Sequence, residues 1–71
     1  MSDNSVYKII QIVGSSTESW EKAAVTAIKR ASKSLKDLRI AEVEKLDLKV
    51  ENGDIMLFRV SLKLSFKYLD D

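Results

Sequence analysis

Residues 55–69, IMLFRVSLKLSFKYL, constrain the fold more than any other stretch of this chain. Met56, Phe58, Val60, Leu62, Leu64, Phe66 and Tyr68 are all apolar, and the positions between them include Arg59, Ser61, Lys63, Ser65 and Lys67. Apolar residues at every second place give an extended strand one greasy face and one wet face. A strand of ~15 residues is long and spans roughly 50 Å at 3.3 Å per residue. Arg59, in the middle of the wet row, is either a solvated charge that discourages sheet-to-sheet association or a residue facing a binding place.

Asn52-Gly53, just before that strand, is the strongest short signal for a tight hairpin turn, and IAEVEKLDLKV (40–50) reads as the partner strand. In it Leu46, Leu48 and Val50 fall on one side and Lys45, Asp47 and Lys49 on the other. VYKIIQIV (6–13) is rich in β-branched and aromatic residues and is predicted to end as a strand at Gly14. Between these strands, Trp20, Ala24, Ala27, Ile28, Ala31 and Leu35 recur at helical spacing, with Ser19 as the N-cap and Glu21 at the positive end. The small alanines of that stripe let a helix lie close to a sheet. SLKDLR (34–39) leads out of the helix. The order is therefore β-α-β-β, of α+β class. A right-handed crossover places the first strand beyond the last, giving a three-stranded antiparallel sheet of order 1-3-2 wrapped on one helix.

Size limits what such a chain does alone. Its 71 residues make a single domain, 1–71, with 1–4 and 70–71 expected to be flexible. A domain of this size rarely builds a sufficient core without staples, metals or partners. A helix of ~16 residues spans roughly 24 Å, about half the length of the final strand. The uncovered half is expected near Leu64, Phe66 and Tyr68, and burial against copies of the same chain is the economical remedy. A homo-oligomer is expected.

Twelve basic and eleven acidic residues leave a net charge of +1, which gives no electrostatic footprint for nucleic acid or an anionic membrane. The absence of His and Cys excludes thiol chemistry, disulfides, imidazole catalysis and ordinary zinc or iron–sulfur sites. Any metal would be held by oxygen, which suits calcium or magnesium. No serine stands in a nucleophile-elbow context, and Glu42 and Glu44 read better as inter-subunit salt-bridge carboxylates than as a catalytic pair. A non-catalytic protein is expected. No apolar run approaches the ~20 residues that span a bilayer, so a soluble, cytoplasmic protein is expected as well.

From VYK through VGSSTESWEKA, the Arg30-Ala31 pair and AEV (41–43) to the closing LKLSFK, roughly residues 5–68, the sequence resembles the dodecins. That resemblance implies a β-α-β-β subunit of a hollow homododecamer of four trimers, which binds and stores flavin (riboflavin, FMN or FAD) and is not an enzyme. In the usual dodecin pattern a tryptophan early in the second strand stacks on the flavin ring, and a glutamine in the third hydrogen-bonds its polar edge. Here Ile40 holds the place of the tryptophan and Arg59 that of the glutamine. Loss of stacking, at ~1–3 kcal/mol per contact, removes ~2–6 kcal/mol per flavin pair, so flavin binding is expected to be weak or altered. Arg59 also offers only donors where a glutamine offers a donor and an acceptor. It is placed to meet an anionic ligand or a partner subunit's carboxylate such as Glu42.

Some dodecin-like proteins without the tryptophan–glutamine pair are calcium-binding, and this sequence is similar to that branch. The carboxylates at hand are Glu42, Glu44 and Asp47 on the second strand, with Glu51 and Asp54 at the hairpin. None has the D-x-D-x-D-G spacing of a calcium loop. A calcium-binding or purely structural shell is thus the alternative, with ions held between copies.

Overall fold

The computed structural model describes residues 6–67. Strand β1 (Tyr7–Ser16), helix α1 (Trp20–Ser34), strand β2 (Leu38–Glu51) and strand β3 (Asp54–Lys67) follow in that order. They form a three-stranded sheet of order β1-β3-β2, with β3 antiparallel to both neighbours. Ser19 caps α1, its side chain accepting from the Lys22 amide at 3.0 Å. Asn52 (φ 51°) and Gly53 (φ 80°) both take the left-handed conformation that a two-residue hairpin turn demands.

Strand β1 does not stop at Gly14 but runs on to Ser16, with Gly14 opposite Val60. Glycine stands there because of a close approach. A Cβ at this position would lie 2.4 Å from the Ala23 carbonyl oxygen and 2.8 Å from the Ala27 Cβ. Ala23 and Ala27 are buried, so three small residues set the separation between helix and sheet.

The rest of the core is the greasy face of β3. Val60, Leu62, Leu64 and Phe66 are buried, and Ile10, Ile12, Trp20, Ile28 and Leu35 pack against them. The exposed overhang thus lies at the end opposite to the one expected. Leu64 and Phe66 sit beneath the helix, and Tyr68 falls outside the described residues, as do both termini expected to be flexible. The reason is the β1–β3 register, which runs from Tyr7 opposite Lys67 to Ser16 opposite Phe58. A short turn after Ser16 starts the helix near Phe58, and the chain then folds back along β1. The helix therefore covers β3 from Phe58 towards its end and leaves the hairpin tip bare. Leu46, Leu48, Val50, Ile55 and Met56 are exposed there. The molecule is correspondingly long, 53 × 20 × 16 Å, with a radius of gyration of 14.7 Å. A compact domain of this length has one of about 11 Å.

Strand β2 departs from simple alternation. Its register against β3 shifts between Leu38 and Ile40, Val43 and Lys45, and Lys49 and Val50. The middle shift leaves Glu44 without an opposite residue and lets Val43, Leu46 and Leu48 share the helix side, opposite Leu62, Val60 and Phe58.

Candidate functional site

The wet face of the sheet carries the polar residues singled out by sequence. Asp47 lies directly opposite Arg59, and their side chains meet as a fork: Arg59 Nε donates to Asp47 Oδ1 at 2.8 Å and Nη2 to Oδ2 at 3.1 Å. This two-pronged geometry orients the guanidinium more firmly than a single contact. Its hydrogen bond with Arg59, ahead of the charge attraction, holds the Asp47 carboxyl below its ordinary pKa. Within one chain, Arg59 therefore has Asp47 as its carboxylate partner.

Four residues along β3, Lys63 Nζ lies 3.1 Å from Glu44 Oε2, and Gln11 of β1 donates Nε2–H to the other Glu44 oxygen. Hydrogen bonds from Lys63 and then Gln11 lower the Glu44 pKa, and the Glu44 contact raises that of Lys63. Glu42 is the register partner of Lys63. The lysine ammonium is thus the cation between two carboxylates, Glu42 and Glu44. Gln11 carries no functional signal in the sequence. The bulge at Glu44, which aims that side chain across the sheet, is what recruits it.

Ile40 is 59% exposed and sits opposite Ser65. Arg59 is six residues from Ser65 along β3, a run of roughly 20 Å. One chain therefore does not bring Ile40 and Arg59 together. Trp20, the only tryptophan of the chain, is committed elsewhere. Its Nε1–H donates to the Asp47 carbonyl at 3.1 Å and its ring meets Phe58 edge-on at 5.3 Å. Among the described residues no three acidic side chains converge as a metal site. Nor, among them, is any helix long and apolar enough to cross a membrane.

Comparison with known proteins agrees with this architecture. The Dodecin family model matches residues 6–69. Calcium dodecin of Mycobacterium tuberculosis is 44% identical over 63 residues, 89% of either chain. The solved structure of that calcium-chelating protein, described with a novel calcium-binding site, superposes with a TM-score of 0.80 at 46% identity, covering 90% of this chain and 91% of the other. Dodecin from Streptomyces coelicolor superposes with a TM-score of 0.90 at 30% identity, over 99% of this chain and all of that one.

Proposed function

Because the chain belongs to the dodecin family, we propose that it is one subunit of a non-catalytic, cytoplasmic homododecameric shell, single-domained, that binds small cargo where copies meet and holds free flavin poorly. The observation that carries the proposal is the closed fork between Arg59 and Asp47. A flavin edge needs an acceptor for its ring N–H as well as donors for its carbonyls. Arg59 has no acceptor to give, and its donors already face a carboxylate. Ile40 adds apolar area without an aromatic face for stacking. These two residues do not fit the flavin group.

A second reading, calcium, is favoured by the relative named calcium dodecin and by the row of carboxylates on β2. Calcium takes six to eight oxygens. Asp47 is engaged by Arg59 and Glu44 by Lys63, which leaves Glu42 as the carboxylate of the three without an ion pair among the described residues. A calcium ion would then need carboxylates from several copies, or would have to displace Lys63. Titrating riboflavin and FMN into the assembled protein, followed by flavin fluorescence, tests the first reading: tight quenching at micromolar protein contradicts it. Calorimetry with calcium, before and after Glu42→Gln, tests the second. Absence of heat in the unmodified protein removes it.

A further inference from the structure

The net charge of +1 conceals an uneven distribution. Residues 38–67, which hold β2 and β3, carry six cations and five acids, and Arg39, Lys49, Arg59 and Lys63 stand in ion pairs. From Lys22 to Lys36 there are five cations, Lys22, Lys29, Arg30, Lys33 and Lys36, and no acid. All five are exposed. Lys22 is paired with Glu18, whereas the other four have no ion pair among the described residues. The helix dipole favours Lys33, in the last turn, but its effect fades within that turn and does not account for Lys29.

These cations stand on the side of α1 that the sheet does not use. Ala23 and Ala27 are buried against the sheet, and helical spacing puts Lys22, Lys29 and Lys33 along one ridge on the opposite side. Arg30 lies on the flank of that ridge, and Lys36 follows just beyond the helix. Glu18 pairs with Lys22 and Glu21 lies next to it in the chain, so the ridge is most positive from Lys29 onward.

Such a ridge is complementary to a partner with a row of negative charges. Lys29 and Lys33, one turn and ~6 Å apart along the helix, match every second phosphate of a strand that carries one per ~3.4 Å of axis. A bilayer is a poorer match. A helix lying on anionic lipid inserts an apolar face, whereas that of α1 is packed on the sheet and leaves Val25 as its one exposed large apolar side chain. Unpaired bases are bound by stacking on aromatic rings, and the only ring of α1, Trp20, meets Phe58. We infer that Lys29, Arg30, Lys33 and Lys36 form a sequence-independent contact for the phosphate backbone of duplex nucleic acid. The contact uses none of the wet-face residues assigned to small cargo.

Four neutralised phosphates on one face correspond to a slope of log K against log salt of about −3.6, or about 150-fold in affinity between 50 and 200 mM salt. The probe is a fluorescently labelled DNA duplex of about 20 base pairs, titrated with the full-length protein and followed by anisotropy. Binding on the order of micromolar at 50 mM salt is expected, equal for duplexes of unrelated sequence. Lys29→Gln with Lys33→Gln should make the slope shallower by about 2 and weaken binding about tenfold or more. The charge-matched change Lys45→Gln with Lys49→Gln, on β2, should leave affinity within about twofold. No anisotropy change at 50 mM salt, an equal loss in the two variants, or tighter binding to phosphatidylserine–phosphatidylcholine vesicles than to the duplex overturns the inference. The shell reading survives each of those results, because it rests on other residues.

Discussion

Gly14→Ala adds a single methyl group at the point where helix and sheet are closest. Built on the native backbone, that methyl lies 2.4 Å from the Ala23 carbonyl oxygen, which is backbone and does not rotate away, and 2.8 Å from the Ala27 Cβ. Restoring an ordinary contact requires the helix to retreat by about 1 Å from the sheet, and a gap of that size forfeits a quarter to a half of each dispersion contact. The layer affected holds Ala23 and Val60, at 0% and 1% exposure. Overpacking of a tight site costs ~1–3 kcal/mol, and the rigid backbone obstacle places this case in the upper half of that range. For a chain of 71 residues, whose stability is on the order of 4–10 kcal/mol, the loss is a large fraction. Urea denaturation followed by Trp20 fluorescence at one fixed protein concentration should show a midpoint lower by about 2 M, with m near 1 kcal/mol/M. The double variant Gly14→Ala with Ala27→Gly should remain destabilised, since it relieves the side-chain clash and leaves the Ala23 carbonyl in place. A Gly14→Ala protein as stable as the parent, or full rescue by Ala27→Gly, would refute this account of how the layers meet.

Leu62→Ala removes a fully buried side chain from the centre of β3 and should cost ~2–5 kcal/mol by the same assay. The Glu44 and Asp47 carboxyls have lowered folded pKa values, so their contribution to stability is complete above the ordinary carboxylate range and is lost as pH falls through the lowered values. A stability–pH profile should therefore fall on the acid side, and Glu44→Gln with Asp47→Asn should flatten that fall; an unchanged acid limb contradicts the two ion pairs. Ile40→Trp with Arg59→Gln should create quenched, much tighter riboflavin binding, because the first change restores an aromatic face and the second an acceptor. Unchanged fluorescence would show that these two positions are not what weakens flavin binding.

The element order, the sheet order and the capped helix are all readable in the sequence because local and global signals coincide in them. Period-2 alternation marks β3, Asn52-Gly53 marks the turn, and Ser19 before an alanine-rich stripe marks the helix. Other features are less accessible. Gly14 reads as punctuation, since a strand glycine needed for close approach is indistinguishable in sequence from one that ends a strand. The overhang falls at the end opposite to the expected one because element lengths say how much of a strand is uncovered but not where the helix begins along it. That position follows from the β1–β3 register, which is a tertiary property.

The Arg59–Asp47 fork does leave a trace in the sequence. Counting outward from Asn52-Gly53 without a bulge sets Arg59 against Leu46 and Asp47 against Phe58, mixing charged and apolar residues on both faces. One extra residue in β3, at the shift beside Met56, brings Arg59 opposite Asp47 and restores both faces. The mismatch is therefore itself a signal. The contact of Gln11 with Glu44 leaves no such trace, because it depends on a second bulge and on a strand far away in sequence.

Mass measurement in native buffer, at protein concentrations near 1 μM, bears most directly on the claim that this chain is completed by its own copies. A discrete assembly is expected, and twelve copies of the 8.0 kDa chain amount to 96 kDa. A folded species of 8.0 kDa that stays monodisperse on dilution would contradict it.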